Sequence, residues 1–273
     1  MTTESKTDVT GALPVRSSAW LDAIVCGDNV EVLSGLPADS IDLTVTSPPY
    51  DNLRNYGGHS WDFEALALQL ARVTKPGGVI VWVVSDQTKD GSESGTSMRQ
   101  ALRFMELGLN LHDTMIWVKD GGGAIGSNLC YTQNWEYCFV LSKGRPKTVN
   151  LLRDKVNISA GQDKSGVGRR DANGEHKIEK RAISSELSKR NNWWLVAPEI
   201  GEHPAVFPEK LTSGHVQTWS NPGDVVLDCF AGSGTTLKSA KQLNRRYVGI
   251  EINPDYVQLI KTRLQQDALA LGV

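Results

Sequence analysis

VVLDCFAGSGTT, residues 225–236, is the stretch of sequence that decides the fold of this chain. An apolar run, a turn with glycines at 232 and 234, and a helical pattern predict a strand, a tight turn and a helix. The glycines let a ligand approach the backbone closely, and the helix start offers unpaired N–H groups. Glu251 ends the next predicted strand, where its carboxylate can accept hydrogen bonds from two ribose hydroxyls. The pattern predicts a site for a nucleoside-bearing ligand.

Three alternatives compete for this turn. A phosphate-binding P-loop needs Gly-Lys-Ser/Thr, and the chain has Gly234-Thr235-Thr236 without the lysine. A dinucleotide fingerprint needs a third glycine where Leu237 stands, which disfavours NAD. A purely structural connection between a strand and a helix stays open on this motif alone.

Short apolar runs alternate with helical patterns, which is typical of a mostly parallel sheet covered by helices. The predicted strands are Ala23–Cys26, Asp42–Thr46, Val79–Val84, Asp113–Val118, Glu136–Leu141, Val225–Asp228 and Tyr247–Glu251. The predicted helices are Asp62–Val73, Ser97–Leu107, Gly234–Leu243 and Pro254–Gln265. We therefore predict an α/β fold with a Rossmann-like, mixed and mostly parallel sheet that carries helices on both faces.

A second motif, Ser47-Pro48-Pro49-Tyr50, follows the second predicted strand. Each proline fixes its own φ and holds the preceding residue extended, so the backbone is rigid before any ligand binds. The Ser47 hydroxyl and the Pro48 carbonyl form a pair of acceptors suited to an NH₂ group, and the Tyr50 ring offers a flat face for a base. A simple loop exit made by two prolines is the alternative. A third motif, residues 203–211 (HPAVFPEKL), is equally explained as a structural bend.

Charge is distributed unevenly along the chain. The net charge is −2, but residues 143–190 contain 13 Lys and Arg against 6 Asp and Glu, which leaves 16 against 25 elsewhere. This basic stretch can dock a phosphate backbone, or it is a solvated loop. We predict a flexible N-terminal arm (1–20), a first half of the main domain (21–143), a basic insertion (144–202) and a second half of the main domain (203–273).

Composition excludes several other classes of protein. Hydrophobic residues make up 40% and charged residues 22%, which is ordinary for a globular protein. The apolar runs are shorter than the roughly 18 residues that span a bilayer, and the polar N-terminus lacks the apolar core of a signal peptide. The four cysteines are scattered, without the close pairs of zinc sites. We expect a cytoplasmic protein with reduced thiols, no bound metal and no membrane partner.

The three motifs, in this order, resemble those of the beta-class amino-group DNA methyltransferases of restriction–modification systems. Ser47-Pro48-Pro49-Tyr50 corresponds to their catalytic motif, the basic insertion to their target-recognition region, and Phe207-Pro208 and Phe230-Ala231-Gly232-Ser233-Gly234 to their later motifs. Gly27-Asp28 and Lys75-Pro76-Gly77-Gly78 match as well. The similarity covers roughly residues 25–264.

The resemblance implies a class I methyltransferase fold and S-adenosylmethionine as cofactor, with S-adenosylhomocysteine as product. It places Ser47, Pro48, Pro49 and Tyr50 in catalysis on the exocyclic amino nitrogen of a flipped base. Family members with Ser before Pro-Pro-Tyr are mostly cytosine-N4 enzymes, and adenine N6 is the alternative. The residues that it assigns to the cofactor are Asp28, Phe207, Leu211, Asp228, Phe230, Ala231, Gly232, Ser233, Gly234, Thr235 and Glu251.

The partner implied by the resemblance is double-stranded DNA. The basic candidates for phosphate contacts are Arg169, Arg170, Lys180, Arg181, Lys189 and Arg190. Members of this class often form homodimers, and restriction–modification systems pair the methyltransferase with a cognate restriction endonuclease. Two other hypotheses are a methyltransferase of RNA or a protein amide, which Ser47 and the basic insertion disfavour, and a non-catalytic nucleic-acid-binding protein with the same fold.

Overall fold

The computed structural model of the chain describes residues 20–50, 61–119, 125–127, 130–164, 168–171, 173–178, 183–199 and 207–270. Apart from Trp20, the predicted N-terminal arm lies outside the described residues. Every helix in the described part of the chain is too short or too polar to cross a bilayer.

Among the described residues, eight strands form the central sheet. In chain order they are β1 (Ala23–Cys26), β2 (Ile41–Thr46), β3 (Thr74–Val84), β4 (Asn110–Lys119), β5 (Trp135–Ser142), β6 (Trp193–Val196), β7 (Val225–Asp228) and β8 (Arg246–Glu251). Their spatial order is β1-β8-β7-β2-β3-β5-β4-β6. Within this sheet β5 runs antiparallel to β3 and β4, while every other neighbouring pair is parallel. The prediction of a mixed, mostly parallel sheet is confirmed.

In the part of the chain that the structure describes, six helices cover the two faces of the sheet. They are α1 (Asn29–Ser34), α2 (Phe63–Val73), α3 (Thr96–Glu106), α4 (Glu209–Trp219), α5 (Thr235–Gln242) and α6 (Pro254–Ala270). On one face, Leu33, Leu66 and Phe104 of α1, α2 and α3 join a buried cluster with Trp82 of β3. On the other face, α5 packs so closely on β8 that a Cβ at Gly249 would lie 2.3 Å from the Leu237 side chain.

The connections leave β2 and β7 in opposite directions across the sheet. From β7 the chain passes through α5 to β8 on one side, and from β2 it passes through α2 to β3 on the other. Because β2 and β7 are parallel neighbours, this reversal opens a crevice at their carboxyl ends, where ligands bind in open α/β sheets.

Residues Asn150–Asn191 form a second compact unit, and the rest of the chain forms the first. The second unit holds two short antiparallel ladders, Lys155–Val156 with Leu187–Ser188 and Gly168–Arg170 with His176–Ile178. Its apolar side chains are largely exposed, Ile158 by 99% and Ile183 by 77%, so it has little core of its own. The short remaining ladders, Thr88–Lys89 with Ser92–Glu93 and Ile125–Ser127 with Cys130–Gln133, lie in the first unit.

The observed boundaries of this unit differ from the predicted insertion, 144–202. Residues 192–199 belong to the first unit because Trp193–Val196 is the edge strand β6, paired with β4. Trp194 and Val196 point inward and are buried, while Trp193 and Leu195 are half exposed. This alternation of burial is typical of a strand with one buried face. The sequence analysis missed the strand because polar residues surround its four apolar ones.

Candidate active site

The glycine turn after β7 is held by backbone hydrogen bonds. The Ala231 N–H donates to the Ile250 carbonyl at 3.0 Å, and the Gly234 N–H donates to the Ala231 carbonyl at 2.7 Å. Gly232 and Gly234 have φ values of +51° and +80°, in the left-handed region that glycine occupies at little cost. Helix α5 begins at Thr235 without a side-chain cap, so its first N–H groups stay available to a ligand.

The carboxylate of Glu251 lies beside this turn at the end of β8. Oε2 accepts from the Gly232 N–H at 2.8 Å, and Oε1 accepts from the Asn253 N–H at 2.9 Å. A carboxylate oxygen can accept more than one hydrogen bond, and a carboxylate at the end of this strand is suited to ribose hydroxyls. Phe230, one residue into the turn, packs edge-on against Trp61 at 5.2 Å. The residues present therefore fit a nucleoside-bearing cofactor.

A hydrogen bond joins the ends of β2 and β7. The Thr46 hydroxyl donates to Asp228 Oδ1 at 2.7 Å, and the Phe230 N–H donates to the same oxygen at 3.1 Å. Asp228 is 3% exposed, and this burial raises the pKa of its carboxyl from the ordinary 3.8 to about 6. The structure thus brings the Ser47 motif and the glycine turn together at one edge of the sheet, although about 180 residues separate them in the chain.

The raised pKa of Asp228 predicts a specific pH dependence of stability. The folded state holds this proton more tightly than the unfolded state, so the contribution of Asp228 to the free energy of unfolding falls as the pH rises from about 4 to about 6. The full decrease is about 3 kcal/mol. Urea unfolding at several pH values should show that Asp228→Asn lacks this decrease, whereas the exposed control Asp90→Asn keeps it. Identical pH profiles for Asp228→Asn and the wild type would contradict the assignment.

The Ser47 motif follows the end of β2, and hydrogen bonds join its polar side chains. Ser47 Oγ and the Tyr50 hydroxyl are 2.7 Å apart, and the Tyr50 hydroxyl donates to Glu136 Oε2 at 2.6 Å. Pro48 is buried, and the Tyr50 ring packs against the core cluster. Burial, reinforced by the charge of Glu136, holds the pKa of Tyr50 well above its ordinary value. The Tyr50 hydroxyl therefore stays protonated.

Sequence reasoning did not single out Glu136 or Lys119. Glu136 is 4% exposed at the start of β5, and its Oε1 forms an ion pair with Lys119 Nζ at 2.5 Å. Because β5 is antiparallel, its first residues lie at the same edge as the carboxyl ends of β2, β3 and β4. The available signal was an acidic residue on the buried side of an otherwise apolar strand.

Three other residues predicted to contact the cofactor have structural partners. Asp28 caps α1, where its Oδ1 accepts from the Val30 and Glu31 N–H groups at 2.9 and 3.1 Å. Arg263 of α6 donates to the Ser233 carbonyl at 3.1 Å and to the Thr235 hydroxyl at 3.4 Å. The contacts of Arg263 fix the glycine turn where it passes into α5.

Two further residues predicted to contact the cofactor lie in and just before α4. Leu211 is 1% exposed on the inner side of this helix, and the Phe207 ring lies 6.4 Å from the ring of Trp117 in β4. The first part of this third motif, residues 203–206, lies outside the described residues.

The basic candidates belong to the second compact unit. Arg170 is exposed at the end of the hairpin strand Gly168–Arg170, which also contains Arg169. Arg190 forms an ion pair with Asp154, and the hydrogen bonds from Arg190 lower the pKa of the Asp154 carboxyl. Lys189 precedes this pair, while Lys180 and Arg181 lie outside the described residues.

This fold and this site are those of a class I methyltransferase: a strand, glycine turn and helix with the Glu251 carboxylate at the end of the next strand, and beside it the acceptor corner, residues Ser47-Pro48-Pro49-Tyr50. A family model for N6 and N4 methyltransferases, described as DNA methylase, matches residues 41–262. The chain belongs to this family of amino-group DNA methyltransferases, which confirms the expectation from its motifs.

Two curated relatives span most of the chain. The chain is 49% identical over 237 residues to the orphan methyltransferase M.BamHII of Bacillus amyloliquefaciens, covering 83% of this chain and 89% of the relative. It is 27% identical over 270 residues to the DNA adenine methyltransferase YhdJ of Escherichia coli (strain K12), covering 93% and 86%.

Solved structures confirm the fold. PvuII DNA methyltransferase, which is cytosine-N4-specific, has a TM-score of 0.63 at 20% identity, covering 88% of this chain and 85% of the other. A putative DNA modification methylase from Thermus thermophilus, complexed with S-adenosyl-L-methionine, has a TM-score of 0.60 at 28% identity, covering 89% and 95%.

Proposed function

We propose that this protein transfers a methyl group from S-adenosylmethionine to the exocyclic N4 of a flipped cytosine at a specific site in duplex DNA. The observation that carries the proposal is the Thr46–Asp228 hydrogen bond of 2.7 Å, which joins the strand ends that bear the acceptor corner and the glycine turn. A methyl donor held at the turn and a base held at the corner are thereby neighbours. The family of the chain and the relative complexed with S-adenosyl-L-methionine support the same reaction.

The turn and its neighbours would hold the cofactor. Glu251 would accept hydrogen bonds from the ribose hydroxyls, Gly232 and Gly234 would allow the cofactor to approach the backbone, and Asp228 would lie toward its methionine end. Phe230, Ala231, Ser233 and Thr235 line the same turn, and Asp28, Phe207 and Leu211 complete the proposed set. The cofactor supplies an electrophilic methyl group on a sulfonium, so the protein needs to act mainly on the nitrogen.

The acceptor corner activates the amino nitrogen by accepting hydrogen bonds from its N–H groups. The lone pair of an exocyclic amino group is delocalised into the ring, which makes the nitrogen a poor nucleophile. Hydrogen bonds accepted from its two N–H groups by Ser47 Oγ and the Pro48 carbonyl would favour a pyramidal nitrogen with a localised lone pair. The N–C bond to the methyl group would form as the S–C bond of the sulfonium breaks, which leaves S-adenosylhomocysteine, and the cationic nitrogen would release one proton to water. Stacking on Tyr50, beside Pro49, offsets part of the few kcal/mol that base flipping costs. Positioning the two reactants contributes on the order of 7–11 kcal/mol.

Ser47 favours cytosine N4 over adenine N6, and nucleoside analysis tests the choice. Purified protein is incubated with duplex DNA and S-adenosylmethionine, and the DNA is digested and analysed by mass spectrometry. We expect N4-methylcytosine. N6-methyladenine would establish the alternative that the adenine-specific relative represents. DNA that stays unmodified under conditions where the cofactor binds would contradict the enzymatic proposal and favour a non-catalytic DNA-binding protein.

The second compact unit is the proposed target-recognition region. Its surplus of Lys and Arg suits the DNA backbone, and it contains all six basic candidates: Arg169, Arg170, Lys180, Arg181, Lys189 and Arg190. The family resemblance makes two separate predictions about partners: a second copy of the chain and a cognate restriction endonuclease.

Neutralising Arg170 should weaken DNA binding without changing the base that is modified. For Arg170→Gln we expect a lower affinity and a reduction of about one in the slope of log K against log salt concentration, because one phosphate contact is lost. Fluorescence anisotropy with a labelled duplex at several salt concentrations measures both quantities. Lys261→Gln, an exposed position on α6 with the same change of charge, is the control. Equal slopes for wild type and Arg170→Gln would remove Arg170 from the DNA interface.

A further inference from the structure

Four side chains form a hydrogen-bonded network at the carboxyl edge of the sheet. Ser47 Oγ lies 2.7 Å from the Tyr50 hydroxyl, which lies 2.6 Å from Glu136 Oε2, and Glu136 Oε1 lies 2.5 Å from Lys119 Nζ. The Tyr50–Glu136 bond spans 86 residues of sequence and crosses the intervening strand β3. This network runs from the proposed substrate acceptor, Ser47, to an ion pair whose carboxylate is buried.

The hydrogen bonds of this network can be donated in only one direction. Glu136 forms an ion pair with Lys119, and a carboxylate has lone pairs but no hydrogen to donate, so Glu136 can only accept. Tyr50 therefore donates its single hydrogen to Glu136. The hydrogen bond between Ser47 and Tyr50 must then be donated by Ser47, which leaves only lone pairs of Ser47 Oγ for a substrate.

The ion pair is itself held in position. Glu136 lies opposite Trp117 in the β4–β5 register, and Lys119, two residues further along β4, places its ammonium 5.2 Å from the centre of the Trp117 ring. The Trp117 indole N–H donates to the Val196 carbonyl of β6 at 2.9 Å. A cation–π contact and a buried hydrogen bond thus fix the groups that set the direction.

We propose that Glu136, paired with Lys119, is a positioning residue that makes Ser47 an obligate hydrogen-bond acceptor. This inference rests on the proposed function, because it concerns how Ser47 receives the amino group. A Ser47 hydroxyl that pointed its hydrogen at the base would repel the N–H of the substrate. Glu136 excludes that orientation through the Tyr50 hydroxyl without touching the substrate.

Glu136→Gln tests the direction of these hydrogen bonds, because the amide can donate to Tyr50 as well as accept from it. We expect kcat to fall about tenfold, as for one lost hydrogen bond in the transition state, while the Kd for S-adenosylmethionine stays unchanged. Tyr50→Phe keeps the ring for stacking and removes the hydroxyl, and we expect a loss of kcat of similar size. Glu106→Gln, which removes a carboxylate from the exposed ion pair with Arg103, is the matched control and keeps wild-type kcat.

The double variant separates positioning from a general structural role. If Glu136 acts through the Tyr50 hydroxyl, adding Glu136→Gln to Tyr50→Phe lowers kcat little further. An additive loss, or wild-type kcat in Glu136→Gln, would overturn the inference. Should Glu136→Gln not fold, as judged by thermal melting, wild-type kcat in Tyr50→Phe would still overturn it. A wild-type protein that does not methylate DNA would refute the proposed function instead, so the two failures are distinguishable.

Discussion

Ser47→Ala is expected to lower the single-turnover rate of methyl transfer by about 10²–10³-fold while the Kd for S-adenosylmethionine stays unchanged. The magnitude is that of removing one preorganised polar group from the transition state of an enzyme reaction. The cofactor should bind normally because the glycine turn is held by its own backbone bonds and by Glu251, none of which involves Ser47. Rapid-quench experiments with labelled cofactor and saturating DNA measure the rate, and equilibrium titration measures the Kd.

The matched control for this substitution is Ser34→Ala. Ser34 is an exposed residue at the end of α1, and its hydroxyl donates to the Glu31 carbonyl within the same helix. We expect a wild-type rate for this variant. A Ser47→Ala enzyme that turns over as fast as the control would show that the acceptor of the amino group lies elsewhere, and the corner would then be only a structural loop exit.

Local patterns in the sequence were sufficient for most of the fold. The predicted strand Val225–Asp228 has the observed bounds, and α5 begins within one residue of the prediction. An apolar run followed by a turn with two glycines is compatible with few structures other than a strand and a turn. Strand β6 was missed. Its four residues are surrounded by polar sequence, and their burial depends on pairing with β4, which no local pattern shows.

The site was predictable where its residues follow strands that run in one direction. Carboxyl ends of parallel strands share an edge, so Asp228 and Ser47 could be expected to lie near each other once β2 and β7 are neighbours. Glu136 could not be found in this way. It is the second residue of β5, and it reaches the same edge only because β5 is antiparallel. That direction depends on how the strand packs rather than on its own sequence.

Gly234→Ala is expected to weaken cofactor binding more than about tenfold and to destabilise the fold. Gly234 has a φ of +80°, where an alanine costs about 1 kcal/mol or more, and a Cβ there would lie 2.8 Å from Ile260 Cγ2 of α6. The Ile260 side chain is fully buried, so it cannot move away without disturbing the core. The backbone of the turn must shift instead, and the N–H groups that begin α5 shift with it.

The contribution of packing can be separated from that of the backbone. Gly108→Ala is the control for backbone strain, since Gly108 has a φ of +91° and a Cβ added there would meet no heavy atom within 4 Å. We expect it to lose stability and keep cofactor affinity. Ile260→Ala removes the two atoms closest to the Gly234→Ala Cβ, Cγ2 and Cγ1, so the double variant should recover part of the lost affinity. Isothermal titration with S-adenosylmethionine measures all four variants, and wild-type affinity in Gly234→Ala would mean that the cofactor does not depend on the position of this turn.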